Sequence, residues 1–141
     1  MATMSELHLG AAVRVRIQSS ADIVTARQEG RTMATTLGFT NTTLTIIATA
    51  ISEVARNIVE YAKEGEISIA PVGNGTVRGL QIVARDQGPG IVDLETAMRD
   101  GYSTSKSLGM GLPGAKRLMD QFEISSARGV GTTITMTKWI G

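Results

Sequence analysis

Glu53 and Asn57 are the first residues whose types and spacing could do chemistry, because they lie four positions apart in a stretch with helical periodicity. Residues at this spacing share one face of a helix, so the carboxylate and the carboxamide should project side by side. Mg2+ takes oxygen ligands and keeps several waters, so the amide oxygen of Asn57 together with phosphate oxygens would suit it. Glu53 would then be free to act as a base.

A solvated polar face is the simpler interpretation of these two residues. It fits poorly, because Glu53 and Asn57 interrupt an otherwise apolar stretch, where polar groups need partners other than bulk water. Arg56 follows Glu53 by three positions. We interpret Arg56 as a supporting ion pair or a surface contact and assign it no catalytic role.

A second signal is Asp86-Gln87-Gly88-Pro89-Gly90, which follows a predicted strand. By itself this sequence is typical of an ordinary turn. As a binding site, the carboxylate of Asp86 could accept a hydrogen bond from the exocyclic amine of adenine, where guanine presents a carbonyl oxygen instead. Gly88 and Gly90 would let the backbone approach the base and the ribose without a Cβ in the way.

A third signal, Gly109-Met110-Gly111-Leu112-Pro113-Gly114, matches the dinucleotide pattern G-x-G-x-x-G. That pattern should directly follow a buried strand, whereas the preceding residues 102–107 are polar. It is not a Walker A loop either, because Gly114 is followed by Ala115-Lys116. The segment therefore indicates a mobile glycine-rich loop leading into a helix N-terminus, where free amides suit phosphate oxygens. Such a loop could close over a nucleotide as a lid.

Composition narrows the class of protein further. A chain of 141 residues predicts one domain with its own core. A formal net charge of +1, with scattered basic residues, gives no indication of a nucleic-acid partner. Cysteine is absent and no apolar run reaches the roughly 20 residues of a membrane helix. We expect a cytoplasmic protein with no membrane partner, and we assign no role to the single His8.

The order of predicted elements favours helices packed on one face of a mixed, mostly antiparallel sheet, an α/β sandwich. Period-two alternation predicts strands at 12–18, 66–72, 77–86, 122–127 and 132–139, with a hairpin turn at Gly73-Asn74-Gly75. Helical periodicity predicts a helix interrupted by Gly30 and ended by Gly38, and a long helix from Asn41 ended by Gly65. A short helix at 94–100 and another at 112–121 complete the pattern.

Taken together with Gly129-x-Gly131-Thr132, these motifs resemble the N, G1, G2 and G3 boxes of the GHKL superfamily, the gyrase, Hsp90, histidine kinase and MutL ATPases. Within it, the small size and short lid are similar to the anti-sigma-factor serine/threonine kinases of stressosome signalling. The similarity runs from about Val13 to Trp139. It implies the Bergerat ATP-binding fold for residues 13–141, with residues 1–12 as an N-terminal extension.

The resemblance implies a role for each motif residue, with ATP and Mg2+ as cofactors. Glu53 would be the catalytic base, Asn57 the Mg2+ ligand and Asp86 the adenine ligand. The remaining nucleotide contacts would come from Gly88, Gly90, Gly109, Gly111 and Leu112, and from Thr132 or the neighbouring Thr133. Lys106 stands where some relatives carry an arginine, and either steadies the γ-phosphate or is a solvated loop residue.

The activity implied is transfer of the ATP γ-phosphoryl group to a serine or threonine of a partner protein. The resemblance names STAS-domain scaffold proteins of the RsbS and RsbR type as substrates. It also implies an RsbU-like phosphatase as the target of the released kinase. The alternatives are a nucleotide-gated anti-sigma or partner-binding module without turnover, an ATP-hydrolysing machine and, most remotely, a Rossmann oxidoreductase.

Overall fold

The computed structural model describes residues 7–73, 75–88 and 111–140. The predicted helix at 94–100 lies outside the described residues. The strands are β1 (Leu7–His8), β2 (Val13–Ile17), β3 (Gly65–Gly73), β4 (Arg78–Asp86), β5 (Gln121–Ala127) and β6 (Gly131–Trp139). The helices are α1 (Ser20–Leu37), α2 (Asn41–Asn57) and α3 (Gly111–Leu118), and a π-helical turn (Ile58–Ala62) continues α2.

The sheet is built around the hairpin of β3 and β4. On one side β4 pairs with β6, which pairs with β5 at the edge, while β1 and β2 both pair with β3 on the other side. Every strand pair that the described residues form is antiparallel. The predicted α/β sandwich is confirmed, and no parallel pair of a mixed sheet is seen in this part of the chain.

The helices cover one face of the sheet and enclose the core. α1 packs against α2, and α2 packs against α3. The largest fully buried side chains come from both layers: Ile17, Ile47, Ile51, Ile58, Ile67, Ile69, Leu80, Ile82, Ile134, Met136, Val54 and Val72. Most of them lie at alternate strand positions or at helical spacing, which is the pattern that the sequence predicted.

Two glycine predictions are wrong in detail. Gly30 does not interrupt α1, which is continuous through it. Instead Gly30 is buried against α2, where a Cβ would lie 2.2 Å from Cδ1 of Ile51. Gly65 does not end α2 but begins β3, and the helical stretch ends at Lys63, which adopts a left-handed φ of 74°. The pattern alone could not separate a glycine needed for close packing from one that ends a helix.

Gly131 is the glycine on which the end of the sheet depends. Its φ is 133°, and a Cβ at this position would lie 2.1 Å from the carbonyl oxygen of Asp86 on β4. Backbone atoms cannot move aside as the tip of a flexible side chain can. The chain therefore needs glycine here to keep β6 in register beside Asp86.

We expect Gly131→Ala to destabilise the fold by about 3 kcal/mol, because it adds a backbone clash to left-handed strain. Gly129→Ala is the matched control, since Gly129 also has a positive φ, of 76°, but nothing lies within 4 Å of its missing Cβ. Its cost should be about 1 kcal/mol, from backbone strain alone. Urea unfolding of both variants measures the difference. Equal losses of stability would show that the contact with Asp86 does not matter.

Candidate functional site

Glu53 lies on α2 and is only 4% exposed, although it is a charged residue type. Its Oε1 accepts a hydrogen bond from Nη1 of Arg56 at 2.5 Å. Its Oε2 accepts one from the backbone N–H of Gly111 at 2.6 Å. Both carboxylate oxygens therefore have donors inside the protein, which rules out the solvated polar face as an account of Glu53.

The bond to Gly111 joins the first and third sequence motifs across 58 positions of the chain. Gly111 is the first residue of α3 and has a φ of 68°, so the start of this helix is set by a conformation that glycine tolerates best. Leu112 follows it and is 6% exposed within the hydrophobic core. Its position is that of a packing residue, so its predicted contact with the nucleotide stays a prediction.

Asn57 is the last residue of α2, one turn beyond Glu53, and its side chain is half-buried. The π-helical turn begins at the next residue, Ile58, and π-helical turns occur frequently at functional sites. The turn packs against the start of β3. At Gly65 a Cβ would lie 2.9 Å from Cγ2 of Ile58 and 3.1 Å from Cβ of Asp86, so the end of α2 lies close to Asp86.

Asp86 is the last residue of β4 and is 7% exposed. Its Oδ1 accepts a hydrogen bond from the backbone N–H of Gly88 at 2.8 Å. Among the residues that the structure describes, this bond occupies one carboxylate oxygen and leaves Oδ2 to accept from a ligand. Gly88 in turn packs against the π-helical turn, because a Cβ on it would lie 2.6 Å from Cβ of Ala62.

The sheet register places the two threonines predicted at this end on opposite faces of the sheet. Thr132 pairs directly with Asp86 and is 5% exposed, and its Oγ1 lies 2.8 Å from Oγ of Ser126. Thr133 pairs with Arg85 and so lies on the opposite face of the sheet. The structure separates Thr133 from Asp86 and favours Thr132. Ser126 was missed, although its place opposite Thr132 follows from the register of the β5–β6 hairpin.

The motif residues thus lie along one wall, formed by the second half of α2 and its π-helical turn. Glu53 contacts Gly111 at one end, Ala62 contacts Gly88 beside Asp86 at the other, and Asn57 lies between them. The chain advances by nine residues from Glu53 to Ala62, which at the rise of an α-helix is roughly 13 Å. The predicted site residues Gly90, Lys106 and Gly109 lie outside the described residues.

A separate polar depression of about 330 Å3 lies at the same end of the sheet, lined by Arg16, Glu64, Gly65, Glu66, Arg85 and Gln87. Hydrogen bonds from the side chains of Gln18 and Arg16 hold the pKa of the Glu64 carboxyl below its usual value. None of the lining residues is a predicted nucleotide ligand. Two of the lining residues, Glu66 and Arg85, pair across β3 and β4 on the face of the sheet opposite Asp86. For this reason we do not include the depression in the site.

Comparisons with known proteins bear on the family of this chain. A family model described as the histidine kinase-like ATPase domain matches residues 18–138. The serine/threonine-protein kinase RsbT of Bacillus subtilis is 53% identical over 126 residues, which cover 89% of this chain and 95% of that protein. The anti-sigma F factor of Bacillus subtilis is 35% identical over 102 residues, covering 67% of this chain and 68% of that protein.

A solved structure of the RsbU and RsbW domains of a Mycobacterium tuberculosis protein superimposes with a TM-score of 0.65 and 20% identity. The superposition covers 94% of this chain and 34% of the solved chain. At this identity the likeness supports only the fold.

The chain belongs to the family of histidine kinase-like ATPase domains. Its likeness to RsbT, over almost the whole of both chains, then makes it a serine/threonine protein kinase that uses ATP. No helix in the described ranges is long and apolar enough to span a bilayer.

We expect Asp86→Asn to weaken ATP binding by about 10- to 100-fold, because a hydrogen bond to a charged group contributes about 1.5–3 kcal/mol. The amide oxygen can keep the bond to the Gly88 N–H, so the NH2 group would face the adenine amine, donor against donor. Inosine triphosphate presents a carbonyl oxygen there instead. Calorimetric titration should therefore show a preference shifted from ATP towards inosine triphosphate.

Glu123→Gln is the control for this experiment, because Glu123 is an exposed carboxylate on β5 whose neutralisation leaves the site untouched. It should bind both nucleotides as the unaltered protein does. An Asp86→Asn variant with unchanged affinity for ATP would remove Asp86 from nucleotide recognition.

Proposed function

We propose that the wall formed by α2 and its π-helical turn binds Mg-ATP, with adenine at Asp86 and the phosphates towards Asn57, Glu53 and Gly111. The observation that carries this proposal is the Glu53–Gly111 hydrogen bond, which brings a buried carboxylate to the N-terminus of α3. The free amides of a helix N-terminus suit phosphate oxygens. The adenine end is supported by Asp86, whose Oδ2 is left to accept the exocyclic amine.

The residues present also fit a magnesium ion. Asn57 is half-buried and offers a neutral amide oxygen between Glu53 and the adenine end. Mg2+ typically takes only one or two protein ligands beside phosphate oxygens and water. When bound, the ion would neutralise charge on the transferred phosphoryl group. Asn57 would hold it and so fix the distance between the phosphates and Glu53.

Glu53 would act on the incoming hydroxyl group of the partner protein. As the hydroxyl oxygen forms its bond to the γ-phosphorus, the bond from that phosphorus to the β-phosphate oxygen breaks and ADP leaves. The hydroxyl proton passes to Glu53 Oε2 and then to water. The burial of Glu53 keeps bulk water away from the carboxylate, so the proton acceptor faces only what enters the site.

For the substrates we propose STAS-domain scaffold proteins of the RsbS and RsbR type, with serine as the phosphorylated residue. For the released kinase we propose an RsbU-like phosphatase as the target. The support for both is the 53% identity with RsbT, which covers 95% of that protein. The kinase would then alternate between partners in a switch.

A second candidate function is a partner-binding module whose nucleotide sets its conformation without turnover. The similarity to anti-sigma F factors favours it, at 35% identity over about two thirds of each chain. Both functions need the Asp86 end to bind nucleotide. Only the kinase needs Glu53 as a base, so variants of Glu53 distinguish them.

We expect Glu53→Gln to retain ATP binding while phosphoryl transfer to a STAS-domain partner falls about 100-fold, because the amide cannot accept the hydroxyl proton. Transfer is measured as phosphoserine on the partner by mass spectrometry, and ATP affinity by calorimetry. Glu123→Gln is the control and should transfer at the normal rate. Full transfer by Glu53→Gln would refute its role as the base, and no transfer by the unaltered protein would favour the binding module.

We expect Asn57→Ala to lose most of the benefit that Mg2+ gives to ATP binding, because the alanine offers no oxygen ligand. The measurement is the ratio of ATP affinities with Mg2+ and with a chelator present. In the unaltered protein Mg2+ should tighten binding, and in Asn57→Ala the two affinities should converge within about 3-fold. A ratio unaffected by the substitution would place the Mg2+ ligand elsewhere.

A further inference from the structure

The side chain of Arg56 holds that of Glu53 through an ion pair. Its Nη1 lies 2.5 Å from Glu53 Oε1, and the Arg56 side chain is 33% exposed while that of Glu53 is 3% exposed. An arginine that reaches from the rim of the site to a buried carboxylate fixes the rotamer of that carboxylate. Charge-assisted hydrogen bonds between arginine and a carboxylate are among the stronger ones in proteins.

The Gly111 amide holds the other oxygen of the same carboxylate. Its N–H reaches Glu53 Oε2 at 2.6 Å. The lone pair of Oε2 that accepts this bond is taken up by the backbone and is not available to an incoming hydroxyl group. The described arrangement is therefore one in which Glu53 is well placed but not released for proton transfer.

We propose that Arg56 is a positioning residue for Glu53, and that Gly111 N–H and the substrate hydroxyl compete for Glu53 Oε2. The proposal rests on the proposed kinase function of this site. Gly111 is also a predicted nucleotide ligand, so a phosphate oxygen that takes its N–H would free Oε2 to accept the hydroxyl proton. Arg56 keeps Oε1 in place during this exchange. Nucleotide binding and the readiness of the base are thus coupled through one backbone amide.

The role of Arg56 is tested by a double-mutant cycle with Glu53. Arg56→Met should lower kcat about 100-fold while KM for ATP stays within 2-fold, because a base that is misplaced by about 1 Å loses this much. In a Glu53→Gln background the same substitution should change kcat by less than 2-fold, since the proposal has Arg56 act on transfer through the carboxylate. An equal fall in both backgrounds, or a raised KM for ATP, would overturn the proposal.

Arg56→Met leaves a buried carboxylate without its cation and could unfold the protein. Arg56→Lys keeps the charge but loses the planar fork of donors, so it should fold and lower kcat about 10-fold at unchanged KM. Arg31→Lys on α1 is the matched control, because Arg31 is exposed and distant along the chain from the site. Normal kcat in Arg56→Lys would contradict a positioning role. A fully active Glu53→Gln would instead overturn the assignment of the base.

The competition for Glu53 Oε2 is read from the Gly111 amide resonance in 15N-labelled protein, which has 16 glycines. Glu53→Gln should move this resonance upfield, because the amide loses a charged acceptor. A non-hydrolysable ATP analogue should also move it in the unaltered protein. A Gly111 resonance that responds to Glu53→Gln but not to saturating nucleotide would overturn the competition and leave the role of Arg56 standing.

Discussion

Glu53 is an acidic side chain within an apolar layer of helices. Taking its charge out of water costs free energy, so its surroundings must supply hydrogen-bond donors. Arg56 and the Gly111 amide supply the two donors. One donor is local, from the next turn of α2, while the other comes from 58 positions further along the chain. The position of α3 relative to α2 is therefore tied to a functional group as well as to the core. A change that moves α3 also changes the hydrogen bonds of Glu53.

The end of the sheet is organised around Asp86 in a different way. Three glycines lie beside Asp86: Gly65 on the neighbouring strand β3, Gly131 on the neighbouring strand β6, and Gly88 in the turn that follows β4. At each of them a Cβ would come within 2.6 Å of another residue. Small residues keep the backbone close around the carboxylate, and its Oδ1 is fixed by the Gly88 amide. Asp86 is thus held at one end of the wall, and Glu53, the acceptor that we propose is released, lies at the other.

Much of this arrangement could be predicted from the sequence, because periodicity and motif spacing are local signals. The strand positions and the long helix that carries Glu53 and Asn57 are of this kind. Arg56 was expected as a supporting ion pair or a surface contact, and the structure shows the ion pair with Glu53. The donor from Gly111 could not be predicted, because no periodicity tells which backbone amide will reach a buried carboxylate.

The errors have the same origin. Gly30 looked like an interruption, but its missing Cβ is what lets α1 approach Ile51 of α2. Gly65 looked like a helix end, but it is needed because Arg85 and Ile58 lie too close for any side chain. The choice between Thr132 and Thr133 was open until the register placed Thr132 beside Asp86. In each case the deciding fact is a distance between segments that are far apart in the chain.

On the proposed function, the separation of the two ends would let one fold serve both kinases and nucleotide-dependent binding modules. In the proposed function adenine is recognised at Asp86, beside Gly88 and Thr132, and the contacts of Asp86 described above do not involve Glu53. Transfer, as we propose it, needs Glu53 released from Gly111 and held by Arg56, and these two hydrogen bonds are separate from those of Asp86. A relative could therefore keep nucleotide-controlled binding while its base stays bound to the backbone. The catalytic class of such a protein then depends on the hydrogen bonds of one carboxylate rather than on its fold.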